Sequence, residues 1–380
     1  MKKVLILVNH DVVIYNFRKE LVERLLKDGY EVYISSPSGE RIDDLVAMGC
    51  KHIEAKIARH GTNVIEELKL LNYYKKIIKE IEPDVVLSYT IKPNIYGGMA
   101  CRMLKVPYIA NITGLGTAVE NRGLMQNITT TLYRIAFKKI NCLFFQNTEN
   151  RQFFIDKNLA VGKHRLIPGS GVNLEYFNIL DYPSDETIEF TFISRIMKEK
   201  GIEQYIEAAE FIRNKYPNTR FHICGFCEEA YEDILKILQE QGIVTYHGMQ
   251  RDVRVILQKT HCTIHPTYYP EGMSNVLLES SACGRPIITT NRSGCRETVD
   301  DGVNGFIVEQ QNSRDLIEKI EKFLKLSYEE KRLMGLAGRA KVNKEFDRQI
   351  VVDAYMDEID KINANSRISI PNIKDIEING

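Results

Sequence analysis

The sequence predicts an α/β protein built from two doubly wound halves, each a parallel sheet covered by helices on both faces. Three observations carry this reading. Short apolar runs alternate with longer amphipathic segments along almost the whole chain, the pattern of parallel strands and crossover helices. The alternation breaks once, between Pro168 and Glu186, in a stretch rich in Gly, Pro and Asp, and then restarts. Finally, 380 residues with 44% hydrophobic side chains are enough for two cores of ordinary size.

In the first half, strands are expected at Val4–Val8, Glu31–Ser35, His52–Ala55, Val85–Ser88, Tyr108–Asn111, Cys142–Gln146 and Arg165–Pro168. Helices fill the gaps, among them Asn16–Lys27, Val64–Ile81, Asn127–Lys139 and Glu149–Lys157. Asn121–Gln126 reads as a mobile loop. The second half runs strand Ile188–Ile193, helix Ile202–Lys215, strand Phe221–Cys224, helix Glu229–Gln241, and strand Val244–His247. Val253–Gln258 and strand Cys262–His265 follow, then a glutamate-bearing loop and its helix, strands Pro286–Thr289 and Gly305–Val308, and three closing helices. The expected divisions are 1–170, 171–344, a closing helix at 345–362, and a loose tail at 363–380. Ligands of such folds bind outside the carboxyl ends of the strands.

Composition narrows the function classes. No apolar run reaches 18 residues, and Met1-Lys2-Lys3 leads into five apolar residues that read as a buried strand rather than a leader peptide. The net charge is zero, yet residues 1–170 carry 25 Lys and Arg against 17 Asp and Glu. Two readings stand for this split: a first half that faces an anionic membrane or phosphorylated acceptor, or mutual attraction of the two halves. No nucleic-acid partner is expected. The eight cysteines are scattered, several in apolar runs, as reduced core thiols are. Cys224-Gly225-Phe226-Cys227 has metal or redox spacing without a second pair, so no metal is assigned there. The expected location is the cytoplasm, with a peripheral place on the inner face of the plasma membrane as an option.

The most informative run is Pro270-Glu271-Gly272-Met273-Ser274-Asn275-Val276-Leu277-Leu278-Glu279. It places one carboxylate before a helix start and a second eight residues on. Helix starts offer unpaired amides to an anion, and carboxylates accept hydrogen bonds from sugar hydroxyls. Solvated helix charges are the competing reading. Arg195 and Lys200 lie in a basic loop after a strand, with Gly201 opening the next helix, a setting that can neutralise a diphosphate. Gly225 allows close backbone approach or marks a turn. Gly248 and Arg251 lie in a loop that either edges a base pocket or simply caps a helix. Gly294 and Glu297 again sit between a strand and a helix.

Together these segments resemble the retaining glycosyltransferases of family 4, with their two-domain GT-B fold of facing Rossmann-like domains. The resemblance covers nearly the whole chain through residue 362. It rests on Glu271-Gly272…Glu279, Arg195…Lys200-Gly201, Gly171-Val172-Asn173…Phe177 and Asn304-Gly305-Phe306. It implies that a closing helix returns to the N-terminal domain, and that Arg195 and Lys200 bind the donor diphosphate. Glu271 would contact the hexose, with Gly272 beside it and Met273, Ser274 and Asn275 offering backbone amides. Glu279 would bind the ribose, and Gly248 and Arg251 would border the base. Many relatives carry a glycine pair after the first strand, whereas this chain reads Asn9-His10-Asp11 there and leads into Tyr15-Asn16-Phe17-Arg18. That is closer to the subgroup acting on capsular or lipid-linked saccharides. His10, Arg18, Lys92, Asn94, Thr113 and Gly114 are then the acceptor-side candidates. A histidine that relatives often carry near the reacting sugar is missing at Tyr89-Thr90-Ile91-Lys92.

The expected activity is transfer of a hexose or N-acetylhexosamine from a UDP-sugar to a saccharide, carried on a polyprenyl diphosphate. Asp-x-Asp occurs nowhere in the chain, so metal-independent catalysis without a cofactor is expected. A UDP-sugar 2-epimerase on the same fold is the alternative. Two basic-aromatic stretches, Leu68–Lys79 and Leu132–Lys139, suit either an anionic membrane or ordinary packing on the sheet.

Overall fold

A computed structural model describes residues 1–55, 63–120, 123–160 and 162–368. The chain divides into two compact units: Met1–Thr113 with Ala118–Ile167 and Gln349–Gly380, and Gly114–Thr117 with Pro168–Arg348.

The first unit is built on β1 (Lys3–Leu7), β2 (Glu31–Ser36), β3 (Lys51–Glu54), β4 (Val85–Tyr89), β5 (Tyr108–Ile112), β6 (Cys142–Phe145) and β7 (His164–Leu166). All pair in parallel in the order β3-β2-β1-β4-β5-β6-β7. The order reverses between β1 and β4, so the carboxyl ends of these strands open the crevice where such sheets bind ligands. Its helices are α1 (Asp11–Phe17), α2 (Lys19–Lys27), α3 (Ile42–Ala47), α4 (Val64–Ile81), α5 (Gly98–Leu104), α6 (Thr117–Glu120), α7 (Leu124–Phe137) and α8 (Thr148–Asp156), with a π-helical turn at Pro93–Gly97.

Local chemistry sets these boundaries. Asn63 caps α4 by accepting from the Ile65 amide at 3.0 Å, and Glu82 ends it in the left-handed region at φ 52°. Asn147 caps α8 through the Asn150 amide at 2.8 Å. One expected boundary moves: α7 starts at Leu124, so the part of the expected mobile loop at 124–126 is helix, while 121–122 lies outside the described residues.

The second unit carries β8 (Ile188–Ile193), β9 (Thr219–Cys224), β10 (Thr245–Tyr246), β11 (Cys262–His265), β12 (Ile287–Thr290) and β13 (Gly305–Val308), ordered β10-β9-β8-β11-β12-β13 and again parallel. Around it lie α9 (Ile202–Lys215), α10 (Glu232–Glu240), α11 (Arg254–Leu257), α12 (Asn275–Ala282), α13 (Ser313–Leu324) and α14 (Tyr328–Glu345). Phe190, Phe192, Phe221, Ile223 and Ile264 of the strands pack with Ala208, Ile212, Leu316 and Phe323 of α9 and α13. Leu278 and Ala282 of α12 pack on the other side with Val342, Phe346 and Met273.

The last helix, α15 (Arg348–Ile368), joins the first unit. Val351, Val352, Tyr355, Met356, Ile359 and Ile362 belong to the core that contains Val4, Ile6, Leu21, Val22 and Phe144. The expected return of the closing helix is what the fold shows, but it begins at Arg348 rather than 345. Residues 363–368 are helical rather than loose, because Asn363 is buried and donates to the Tyr30 hydroxyl at 2.8 Å; residues 369–380 lie outside the described set. The units divide at Ile167 and Pro168, three residues before the expected 170.

Tyr355 is the anchor of this return. It is 1% exposed, lies 4.5 Å from the Phe144 ring centroid, and accepts from Asn111 Nδ2 at 2.8 Å. Tyr355→Ala should cost about 3–5 kcal/mol of unfolding free energy, as a large buried aromatic does on truncation. Urea unfolding followed by circular dichroism checks this; a loss under about 1 kcal/mol would contradict the anchoring role.

Candidate functional site

Five segments of the second unit gather at the carboxyl ends of its strands. The loop after β8 enters a short 3₁₀ turn, Lys198–Lys200, and Gly201 turns it into α9 at φ 81°. A side chain at Gly201 would overlap the Pro266 carbonyl, so the glycine lets the basic loop lie directly on the segment after β11. That contact is locked by the Tyr268 and Tyr269 amides, which donate to the Glu199 carbonyl at 2.9 and 3.0 Å.

Lys200 and Glu271 meet here as an ion pair through Nζ and Oε1. The Lys200 side chain is 8% exposed and that of Glu271 16%. Burial alone would raise the Glu271 carboxyl, but Lys200 and His265 overcome it and hold the group at about 2. His265 Nε2 stands 3.8 Å from Glu271 Oε1, and burial pushes the imidazole below its ordinary value. Lys200 Nζ lies 4.7 Å from the Tyr269 ring centroid and the Arg195 guanidinium 5.3 Å from the same ring. Arg195 is tied to Glu228 at 3.0 Å, and its side chain is 28% exposed. One aromatic ring thus carries two cations side by side, each held by its own carboxylate. Lys198, a third cation in the same loop, is exposed and paired with Glu203 at 3.4 Å.

Beyond Glu271 the chain passes Gly272 and buried Met273 and Ser274 to open α12. Met273 points its side chain into the core with Val172 and Phe177, and Gly169 leaves it the room. The Ser274 amide donates to the Gly294 carbonyl at 2.8 Å. This removes one of the three amides expected to face a phosphate, because the backbone uses it to clamp two loops together. Gly294 sits close enough that a side chain there would meet the Gly272 carbonyl at 2.7 Å. Its own amide, with the Ser293 hydroxyl, is held by Glu297 at 2.7 and 3.0 Å. Glu297 therefore shapes the loop. Asn275 is the first residue of α12, and its Oδ1 is buried without a partner among the described residues.

Glu279, the second carboxylate of that run, follows along the same helix. It lies in the middle of α12, partly buried, and burial raises its carboxyl to about 7 against the opposing pull of Arg348. Arg348 is itself buried and donates to the Gly171 carbonyl at 3.2 Å. The remaining donor-side residues form a separate rim. The Gly225 amide donates to the Gly248 carbonyl at 2.9 Å, which joins the two glycine loops, and Arg251 is exposed beyond them.

The acceptor-side candidates are placed less uniformly. Gly114 belongs to the second unit, where a side chain would meet the Pro270 carbonyl at 3.1 Å; Thr113 precedes it, directly after β5. In the first unit, His10 caps α1 through the Val12 amide at 3.3 Å and is partly exposed. Lys92 pairs with Glu67 at 2.8 Å. Asn94 is 1% exposed and donates to the Asn111 carbonyl at 2.9 Å. Arg18 is 2% exposed and stacked 5.0 and 5.8 Å from the Tyr89 and Tyr355 rings, so its cation is spent on packing in this structure. Tyr269, Glu228, His265 and Arg348 were missed by sequence reasoning. The aromatic doublet beside Pro270 and the histidine closing β11 were the available signals for two of them; Glu228 and Arg348 had none.

All eight cysteines are free, and among the described residues no three His, Cys, Asp or Glu side chains are grouped to hold a metal ion. No helix among them is long and apolar enough to cross a membrane.

Residues 179–341 match the family model for glycosyl transferases group 1, and residues 3–147 match glycosyl transferase 4-like. The chain is 27% identical over 370 residues to the N,N'-diacetylbacillosaminyl-diphospho-undecaprenol alpha-1,3-N-acetylgalactosaminyltransferase of Campylobacter jejuni, covering 93% of this chain and 96% of that one. A glycosyltransferase structure from Rickettsia africae superposes with a TM-score of 0.79 at 19% identity, over 96% of this chain and 99% of that one. The Anabaena protein HepE in complex with UDP and glucose superposes with a TM-score of 0.76 at 16% identity, over 95% of this chain and all of that one (100%). These likenesses establish two Rossmann-like parallel-sheet domains of the GT-B kind.

The two carboxylates give opposite pH signatures. Glu271, held near 2 against an ordinary 4.5, adds stability above 4.5 that is lost as pH falls toward 2. Glu279, raised to about 7, keeps a proton that the unfolded chain has released, so stability falls as pH rises from 4.5 to about 7. Glu279→Gln should remove that second fall. Between pH 5 and 7.5 the Tm of the wild type should drop relative to the variant; a pH-independent difference would contradict the assignment.

Proposed function

The chain is a member of the glycosyl transferase group 1 and glycosyl transferase 4-like families, and we propose that it moves a hexose or N-acetylhexosamine from a UDP-sugar to a saccharide on a polyprenyl diphosphate. The setting would be assembly of a bacterial surface polysaccharide. The Campylobacter relative, whose name specifies an undecaprenyl diphosphate acceptor, supports the acceptor class, and the UDP complex of HepE supports the nucleotide. Both matching family models describe glycosyl transfer, which leaves the epimerase reading without support.

The observation that carries the proposal is the buried Lys200–Glu271 pair beside Arg195. When the bond from the sugar's anomeric carbon to the diphosphate oxygen breaks, negative charge grows on the phosphates. Two cations fixed on one aromatic ring meet that charge without reorganising, which is the largest kind of contribution an enzyme makes. Glu271, ionised at every physiological pH, orients Lys200 and accepts from hexose hydroxyls. Glu279 accepts from the ribose hydroxyls. The acceptor oxygen bonds to the anomeric carbon as the diphosphate leaves, and its proton passes to a phosphate oxygen of that leaving group. No protein base is required on this route, and the anomeric configuration is retained as in family 4. The two cations supply the charge that a metal clamp would otherwise bring, so turnover proceeds without a metal ion. Gly248 and Arg251 border the base, and Lys92, Thr113 and Gly114 serve the acceptor. The protein works at the cytoplasmic face of the membrane as a peripheral enzyme.

A UDP-release assay with a lipid-linked acceptor tests this. Lys200→Ala should lower kcat by about 10²–10³-fold, the range for loss of one preorganised charge contact. Glu271→Gln should lower kcat and raise the donor KM together. Excess chelator should leave the wild-type rate unchanged. Near-normal rates in both variants reject the site, and a loss that Mg²⁺ or Mn²⁺ restores rejects the metal-free route.

A further inference from the structure

His265 is a buried imidazole whose ring nitrogens make no hydrogen bond. It closes β11, in which Cys262–His265 are all buried, and its own side chain is 2% exposed. Nδ1 and Nε2 are both enclosed without a partner among the described residues. Desolvating two polar atoms and pairing neither is unfavourable, and an aliphatic side chain would fill such a place without that cost. One neighbour accounts for the choice of residue. Nε2 stands 3.8 Å from Glu271 Oε1, just outside hydrogen-bond range, with the Phe192 ring flanking the imidazole at 6.5 Å between centroids.

The two sides of this gap differ in stiffness. His265 is fixed by strand pairing, with Thr289 of β12 in register beside it, and the Thr289 hydroxyl donates to the His265 carbonyl at 2.8 Å. Pro266 follows and lies directly against Gly201. Glu271 instead stands between β11 and α12, outside any helix or strand. Groups carried on strands are held more exactly than groups on loops, so the carboxylate is the side that closes the distance. Oε1 is also the oxygen that Lys200 meets, so an ammonium and an imidazole converge on one atom.

We propose that His265 is a positioning residue: its Nε2 hydrogen-bonds Glu271 Oε1 as Lys200 turns part of its charge to the donor's diphosphate. An ammonium shared between a carboxylate and a phosphate holds each less firmly than it holds one anion alone. A carboxylate as enclosed as Glu271 is costly to leave under-compensated. The imidazole adds a second donor at the same oxygen from a fixed strand, and Glu271 keeps its place while Lys200 serves both anions. No proton changes hands. An imidazole carries an N–H in either protonation state, so the contact needs only the tautomer with its proton on Nε2. The proposal rests on the donor-site reading of Lys200 and Glu271.

Calorimetric titration of UDP and UMP into His265→Leu and His265→Gln tests it, beside the melting temperature of each ligand-free protein. Glutamine places an amide N–H where Nε2 lies along the side chain, whereas leucine has no donor. The wild type should prefer UDP. His265→Leu should lose about tenfold of that preference, the value of one hydrogen bond to a charged group, with a ligand-free Tm no lower than that of the wild type. His265→Gln should keep most of the preference. Added to Lys200→Met, the leucine substitution should change the ratio no further, because its effect passes through Lys200. A wild-type ratio in His265→Leu, an undiminished loss in the Lys200→Met background, or an equal loss in both variants would each overturn the proposal. A wild type that binds UDP and UMP alike would overturn the donor reading, and the proposal with it.

Discussion

The second unit of this protein is organised around one buried ion pair, Lys200 with Glu271. A pair this enclosed is a cost unless its geometry and remaining hydrogen bonds compensate for lost hydration. The surrounding chain is arranged to provide that. The Glu199 carbonyl takes two amides from Tyr268 and Tyr269, which fixes the loop bearing Lys200 onto the loop bearing Glu271. Gly201 and Gly294 let backbones approach where a side chain would collide with Pro266 or Gly272. The tyrosine ring under both cations spreads their attraction over a polarizable face. Each of these features restricts where the two loops can lie, and together they leave the charges in place before any substrate arrives.

Two carboxylates of similar sequence setting end in opposite electrostatic states. Glu271 has a cation in contact and is held strongly acidic, whereas Glu279 is partly buried with only the field of Arg348 and rises to about 7. The difference follows from partner distance more than from burial, since burial acts on both in the same direction. It separates a permanently charged group from one that is only about half ionised near neutrality.

Much of the fold was legible because parallel strands are apolar on both faces and their helices amphipathic. Each of the thirteen strands among the described residues overlaps an expected one, with β10 shortened to Thr245–Tyr246 and the edge strands β3 and β7 less apolar than the rest. The apolar stretch at 253–258 became helix α11, with Asp252, just before its N-cap Val253, accepting from the Arg254 amide at 3.0 Å. Start and stop signals were weaker: α7 begins earlier than its periodicity suggested because its first turns expose Leu124, Met125 and Ile128 and bury Gln126, Thr129 and Thr130, the reverse of the usual pattern. In the candidate site, Arg195, Lys200 and Glu271 could be read from strand-loop-helix order. Their surroundings could not, since Glu228 lies 33 positions from Arg195, as Arg348 lies 69 from Glu279, and only the tertiary fold brings such groups into range. Arg18 illustrates the converse: a cation after a first-strand loop looks exposed in sequence, yet two tyrosines from β4 and α15 enclose it.

The central claim is that Lys200 meets the charge of the nucleotide's terminal phosphate. Calorimetric titration of UDP and UMP into the wild type and Lys200→Met isolates that contact, because the two nucleotides differ by the one phosphate. The account predicts that the wild type prefers UDP and that the variant loses about tenfold or more of that preference, the value of a charge-assisted hydrogen bond. A variant that keeps the wild-type ratio of the two affinities would contradict it.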